Sequence, residues 1–519
     1  VVKIVRGGCR VFEPVNKNTI NKMSVLTRTD SYKLSHKGFM HPKTEYIYSN
    51  FTPRTHKHFP VPAPFFDGKA VFFSLQFFIK DYLINEWNRE FFNKPKQEVI
   101  EKFKRRTDSY LGKGAVCMDH FEKLHDLGFL PISIKALPEG SSVPMKIPFL
   151  TIINTHPDFA WLTNYLETVL SCEIWKPCYT ATLVKAYRKI VNIFADETVG
   201  NRNHTIFSLH GFEFRGMSGR HDAAICGAGL LLSSCGTDTI PSIDLVEDYY
   251  NADVEKELIA ASVPASEHSI SSLGTSLASE LDFFRDAITK HYPKGIVSLV
   301  SDTYDFFRVV TEFATILKDD ILNRQINEIG LAKVVFRPDS GDPIKIVCGD
   351  PEAPIGSPQH KGAVECLWEI FGGSISEKGY KVLNERVGLI YGDGAQHKMI
   401  YGILQGLKEK GFASNNIVFG VGSFSMTLAT RDSLGMAQKA TWAQVDSIGY
   451  DIYKDPVTDD GMKKSAKGLL RVDKINGEFV LKDQCSKEEE AGGELKEVFR
   501  DGKLLIDQTF AEIRARANS

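Results

Sequence analysis

The chain has 519 residues, with 63 basic and 65 acidic side chains and 43% hydrophobic residues. That length can bury a large core and exceeds one compact unit, and the near-cancelling charge argues against nucleic acid as the main partner. The nine cysteines are odd in number and contain no C-x-x-C pair, so no metal knuckle or disulfide framework is expected and a reducing cytoplasm is.

The chain order begins with residues 1–22, a charged run without an apolar signal core. Met23 reads as a natural start and residues 1–22 as a tag or disordered leader. From Thr44 to Phe51 and from Ala70 to Phe78 the apolar runs suit a strand or a buried helix, and Glu98 to Tyr110 a charged helix. Ala160 to Thr198 is strongly helical, with Pro177 expected to break it. The rhythm then changes. Thr205 to Leu209 reads as a strand leading to His210 and Phe212, and Asp222 to Ser233 as a helix of small residues. Amphipathic helices over Ser271 to His291 and Tyr304 to Leu322 flank a strand at Ile296–Val300. Further strands fall at Val334–Phe336, Val387–Tyr391 and Ile417–Gly420, and Pro338 to Gly362 reads as a long loop. Alternation of this kind predicts a mostly parallel sheet. After Leu434 short strands return, with a hairpin turn at Asp473-Lys474-Ile475-Asn476-Gly477. The longest apolar stretches, such as Ala223 to Leu232, fall short of the roughly 20 residues that cross a bilayer, so no membrane partner is expected.

Polar turns recur at predicted strand ends. They are Gly236-Thr237-Asp238-Thr239, Ser262 to Ser269, Ser301-Asp302-Thr303-Tyr304-Asp305, Arg337-Pro338-Asp339-Ser340-Gly341, Gly392-Asp393-Gly394 and Gly420-Val421-Gly422-Ser423. A β/α barrel gathers such turns on one rim, where its active site lies. The glycine turns let backbone amides approach an anion, although G-x-x-x-x-G-K-[ST] and G-x-G-x-x-G are absent. One acid at a strand end is a helix cap. Asp238, Asp302, Asp305, Asp339 and Asp393 on successive ends instead suit ribose hydroxyls, magnesium pyrophosphate or a cationic transition state. His268, beside Glu267 and several hydroxyls, can shuttle protons, act as a nucleophile or pack in the core, and its neighbours favour chemistry. Tyr32 and Phe212 could sandwich a flat heteroaromatic ring or simply pack.

Taken together, Thr29-Asp30-Ser31-Tyr32-Lys33, Phe214-Arg215-Gly216 and Gly236 to Thr239, with Ser262 to Ser269, Arg337 to Gly341, Gly392-Asp393-Gly394 and Lys454-Asp455-Pro456, resemble the nicotinamide phosphoribosyltransferase family. The resemblance implies a type II phosphoribosyltransferase fold: an irregular β/α barrel plus an α+β domain formed from both chain ends. The expected divisions are 23–160 for the N-terminal α+β part, 161–433 for the barrel and 434–519 for the segment completing the α+β domain. It also implies a homodimer with shared active sites. The implied substrates are nicotinamide and phosphoribosyl pyrophosphate, with Mg²⁺ accompanying pyrophosphate or ATP, and ATP as activating co-substrate through phosphorylation of His268.

By the same resemblance, Phe212 and Tyr32 of the partner subunit stack on the base and Asp238 accepts from its carboxamide. Arg215, Arg337 and His268 bind the diphosphate, while Asp339 and Gly392-Asp393 hold the ribose. Gly422, Ser423, Arg431 and Lys439 hold the 5′-phosphate, and Asp30, Arg54, Ser301 and Lys454 complete the substrate set. Asp305 is expected to orient His268. The chain departs from the family at its phosphate turn, which has fewer glycines, at His210-Gly211 in place of a His-Asp pair, and at Ala437 in place of a serine. A nicotinate phosphoribosyltransferase or a non-catalytic signalling protein on this fold are the alternatives. Asp238 weighs against the first, since a carboxylate attracts an amide N–H and repels a carboxylate substrate.

Overall fold

The computed structural model describes residues 23–392, 394–454 and 466–519. The leader, Asp393 and the Asp455-Pro456 end of one motif therefore lie outside the described residues. Two main sheets organise the rest. One is seven-stranded and wholly antiparallel, in the order Ile448–Asp451, Ala437–Val445, Thr44–Thr52, Leu150–Asn154, Ile132–Ala136, Lys496–Arg500, Lys503–Leu504. Both ends of the chain thus build one sheet.

The other sheet is six-stranded and parallel, in the order Gly236–Thr237, Leu209–Gly211, Val418–Val421, Val387–Tyr391, Lys333–Arg337, Ile296–Val300. The segment 261–265 spans its two edges, with parallel bridges from Ala261 to Gly236 and from Ala265 to Ser298. That irregular piece closes the sheet into a barrel. Along the strands Val297, Leu299, Val334, Phe336, Val387 and Leu389 join the main core. Burial against helices explains why these strands read as short apolar runs.

The helix Glu167–Thr198 runs straight through Pro177, against the expected break. Proline there removes the donor for the carbonyl of Glu173, and the hydroxyl of Ser74 supplies one instead, at 3.3 Å. Pro177 also sits at a close crossing with the helix Arg220–Leu231, where a Cβ on Gly229 would come within 2.9 Å of the Pro177 carbonyl. Small residues on that helix are therefore a packing requirement.

Other boundaries differ from the sequence reading in detail. Ala70 to Phe78 divides into a short strand, Lys69–Val71, and the start of a helix at Leu75. The stretch Pro338 to Gly362, expected as a loop, carries helices Pro343–Cys348 and Pro358–Lys361, capped by Asp342 and Ser357. Each cap is followed by proline at the first helical position, a local start signal. The hairpin Leu469–Ile475 with Glu478–Cys485 turns at Asn476 and Gly477, with φ of 52° and 86°. Two positive φ values are what a two-residue hairpin turn of matching twist needs. Among the described residues no helix is long and apolar enough to cross a membrane.

Candidate active site

Because the barrel strands are parallel, their C-terminal ends open on one face, and the predicted turns follow them there. Leu209–Gly211 delivers Phe212, Gly236–Thr237 delivers Asp238, and the closing segment delivers Glu267 and His268. Ile296–Val300 leads to Asp302, Lys333–Arg337 to Asp339, and Val387–Tyr391 to Gly392. A pocket of about 600 Å³ lies among them, walled by Phe212, Arg215, Asp238, Glu267, Arg337 and Asp339. A second cavity, about 680 Å³, opens beside Lys333, Asn384 and Arg386 toward the start of the strands, and none of the sequence-predicted site residues lines it.

Asp238 is held by two donors on one oxygen. His210 Nε2 lies 2.9 Å and Ser262 Oγ 2.6 Å from Oδ1. Burial works against its charge, but these hydrogen bonds and the nearby Arg337 outweigh it and keep the carboxyl below its usual range. With Oδ1 engaged twice, Oδ2 is the acceptor left for a ligand. Phe212 flanks it, its amide fixed to the Val421 carbonyl at 2.9 Å. The Phe212 ring centroid is 4.7 Å from that of His210.

His268 opens the helix His268–Leu277. Its Nε2 lies 3.0 Å from Asp302 Oδ1, and its Nδ1 lies 3.9 Å from Asp339 Oδ2. Asp302 thus takes the place expected for Asp305. The Asp305 side chain instead caps the next helix, accepting the Arg308 amide at 3.1 Å. A cap needs the acid three residues before that amide, and this spacing turns Asp305 away. Asp302 is anchored by the Asp339 amide at 2.9 Å and the Ser340 hydroxyl at 2.6 Å. Burial would raise its pKa, but these donors with His268 lower it. The side chain of Asp302 is 4% exposed and that of His268 48%, so a buried acid carries an open imidazole.

Arg337 is buried, with Nη2 donating to the Ser266 carbonyl at 2.6 Å and Nε 3.7 Å from Asp339 Oδ1. Ser301 stands behind the wall, fully buried, donating to the Leu299 carbonyl at 2.7 Å and accepting the Arg337 amide at 3.3 Å. Gly392 lies against Asp339: a Cβ there would overlap its carboxylate and displace it. Ser423, after Val418–Val421, packs its hydroxyl where a Cβ of Gly216 would be, joining the phosphate turn to the Phe214-Arg215-Gly216 turn. Gly422 is the link between that strand and Ser423.

At the departure His210-Gly211, the carboxyl of Glu213 lies close to the space a side chain at 211 would fill, with Oε2 2.7 Å from that Cβ position. Glu213 is fully buried and burial raises its pKa. Its side chain went unread in the sequence because glutamate is ordinarily a surface residue.

Of the remaining predicted residues only Lys439 is in a strand; Tyr32 lies in the short helix Ser31–Ser35, which Asp30 precedes, and Arg431 in the short helix Arg431–Ser433. Lys439 lies in Ala437–Val445 opposite Asn50, Arg54 follows Thr44–Thr52, and Arg54 Nε donates to the Gly435 carbonyl at 2.7 Å. Burial lowers the pKa of Lys439, and Arg54, Arg431 and Lys33 push the same way against Glu167. Lys33 pairs with Glu167 and lies 5.3 Å from the ring of Tyr32, which is 58% exposed. Asp30 accepts from the Thr168 hydroxyl at 2.8 Å. Ala437 is a buried strand residue, and Lys454 follows Ile448–Asp451. The pocket walls come from the barrel rim alone, and Lys439 on Ala437–Val445 and the exposed Tyr32 do not line it.

Among the described residues no group of three or more His, Cys, Asp or Glu could hold a metal ion.

Residues 207–503 match the nicotinate phosphoribosyltransferase (NAPRTase) family. The chain is 52% identical to a nicotinamide phosphoribosyltransferase of Acinetobacter baylyi, covering 95% of this chain and 97% of that one. It is 34% identical to a nicotinamide phosphoribosyltransferase of Xanthomonas campestris, over 76% of this chain and 80% of that one. In fold it is similar to the crystal structure of a nicotinate-nucleotide pyrophosphorylase from Pyrococcus furiosus, with TM-score 0.54 and 15% identity over 94% and 93% of the two chains. Human nicotinic acid phosphoribosyltransferase gives 0.50 and 14% over the same shares. These matches support the irregular barrel with its two-ended sheet, and the chain belongs to the nicotinate phosphoribosyltransferase family.

Proposed function

We propose that the chain transfers phosphoribosyl from phosphoribosyl pyrophosphate to nicotinamide, giving nicotinamide mononucleotide and pyrophosphate, a salvage step toward NAD. The observation that carries the choice of base is Asp238. Its carboxylate is kept ionised beside Phe212 and offers one free acceptor oxygen to a carboxamide N–H. Nicotinate would bring a second negative charge to that oxygen.

The pyridine nitrogen of nicotinamide is already a nucleophile, so it needs positioning rather than a base. Its lone pair forms the bond to the anomeric carbon as the bond to pyrophosphate breaks, and that electron pair leaves with pyrophosphate. Positive charge grows on the ribosyl carbon meanwhile, and Asp339 is the carboxylate on hand to stabilise it. Arg215 and Arg337 line the same pocket and would neutralise the leaving group. Mg²⁺ would arrive on pyrophosphate, keeping most of its ligands from phosphate and water, since among the described residues no group of three or more His, Cys, Asp or Glu could hold it.

ATP enters through His268. With Nε2–H donating a hydrogen bond to Asp302, the neutral ring keeps its lone pair on Nδ1 and can take the γ-phosphoryl group of ATP, releasing ADP. Water later cleaves the phosphohistidine. The assembly proposed is a homodimer in which Tyr32 and the cations around Lys439 of one chain complete the rim of the other.

The test is mononucleotide formation from nicotinamide and from nicotinate, each with phosphoribosyl pyrophosphate, with and without ATP. The reading expects nicotinamide to be preferred and ATP to increase the rate. Equal or better use of nicotinate would overturn it.

A further inference from the structure

Away from the barrel rim, the helix Glu167–Thr198 turns Lys185, Arg188, Lys189 and Asn192 toward one small pocket. Phe66, Asp67 and Lys69 close it on one side and Ser142, Ser233 and Asn518 on the others, leaving about 150 Å³. Spacings of three and four residues put the three cations on one helical face. Lys185 donates to the Ser142 hydroxyl at 2.7 Å. Arg188 donates from Nη1 to the Ser233 carbonyl at 3.0 Å and to Asn518 Oδ1 at 3.3 Å, while its buried Nε has no partner.

Among the described residues none of these three cations has a carboxylate within 4.0 Å. Lys69 is paired with Glu478 at 2.6 Å, and the one acid in the wall, Asp67, accepts the Lys69 amide at 3.1 Å. Burial lowers the pKa of Lys185, with Asp67 opposing and Lys69 and Lys189 adding to the shift. Arg188 is likewise lowered by burial, and Arg514 and Arg202 act in the same direction. Two half-buried cations without a counter-charge are costly to keep in a folded chain. Arginine and lysine together with an open Nε are the usual donors to a tetrahedral oxyanion.

One more atom narrows the choice. Asn192 Oδ1 is buried without a donor. Sulfate carries no proton at neutral pH, whereas inorganic phosphate has an O–H to give that oxygen.

We propose that this pocket is a binding site for inorganic phosphate, separate from the catalytic pocket, with Lys185, Arg188 and Lys189 holding the charge and Asn192 accepting the phosphate O–H. The bound anion would tie the helix Glu167–Thr198 to the loop at Asp67 and to Asn518 near the end of the helix Phe510–Ala517.

The test is thermal unfolding of the full chain in phosphate-free buffer and across a phosphate series, with sulfate at matched ionic strength. Parent, Lys185→Met and Lys189→Met proteins are compared, so that any contribution from the catalytic pocket is common to all and cancels. Phosphate should raise the parent midpoint by mass action and should need about tenfold higher concentration for the same rise in either variant. Without phosphate, Lys185→Met should match or exceed the parent midpoint, because an unneutralised charge has gone. Lys189 is exposed, and its replacement keeps the comparison readable if Lys185→Met folds poorly. Turnover of Lys189→Met at saturating substrates should equal that of the parent. Equal phosphate response in parent and Lys189→Met, or an equal response to sulfate, would overturn the proposal.

Discussion

Replacing Asp238 with asparagine keeps the shape of the side chain and removes its charge. One oxygen of Asp238 already accepts from His210 and Ser262, so the amide oxygen of the Asp238→Asn variant would stay with those donors. The amide NH₂ would then face the pocket, where the carboxylate oxygen stood. Nicotinamide loses a charge-assisted hydrogen bond worth roughly 1.5–3 kcal/mol. Nicotinate is relieved of a like-charge contact and gains a donor. Asp238 is partly open to solvent, so screening trims the Coulomb part, and the combined change in relative specificity is roughly 2–4 kcal/mol. That is about 30- to 1,000-fold in the ratio of kcat/KM values, moving toward nicotinate. Initial rates of mononucleotide formation with the two bases in parallel measure it, and Asp238→Ser is a second variant with the same expected direction. An unchanged ratio in a variant that still folds and turns over would refute the reasoning.

Asp302→Asn should weaken ATP stimulation as His268→Ala should abolish it, with slow phosphoribosyl transfer left in both. Asp305→Asn should cost at most about 1 kcal/mol of stability as a helix cap and leave the ATP response intact, as rates with and without ATP and a melting curve would reveal. Tyr32→Ala and Asp238→Ala homodimers should each be nearly inactive, and mixing them under subunit exchange should restore roughly a quarter of parental sites, since about half the dimers are mixed and each holds one intact site. No recovery after exchange confirmed by mass measurement would place Tyr32 in its own chain's site. Glu139, fully buried, has its pKa pushed up to about 7 by burial, despite amides of Ser74 and Gln76 and the Tyr250 hydroxyl. An acid with a raised folded-state pKa gives stability that is present below its unfolded value and is lost as pH rises through about 7. The loss is of order 3 kcal/mol between pH 4.5 and 7, and denaturant midpoints of Glu139→Gln should show a flatter slope over that window.

The sequence was legible wherever chemistry and backbone made the same demand. A parallel strand must be followed by a turn, and turns that carry chemistry use Gly, Asp, Ser and His. That is why Asp238, His268, Asp339 and Gly392 could be named from spacing and found on one rim. The choice between Asp302 and Asp305 was not legible, because the two differ by one helical turn, and only the cap on Arg308 decides which side chain is free. Pro177 misled for a related reason: the donor that compensates it, Ser74, lies about a hundred residues earlier in the chain. Gly211 and Glu213 show the same limit at the site itself. Read singly, one is a missing acid and the other a surface glutamate; in space the carboxyl of Glu213 crowds the position that a side chain at 211 would use. The split of the predicted site residues between rim and antiparallel sheet lies deeper still. No local pattern says that Phe212 and Lys439 act on one substrate, because in the proposed assembly they meet only through a second chain. What the single chain does carry is a separation: a pocket walled by Phe212, Asp238, Arg337 and Asp339, and, outside those walls, cations around Lys439 with Tyr32 left exposed, which is the arrangement the proposed dimer would bring together.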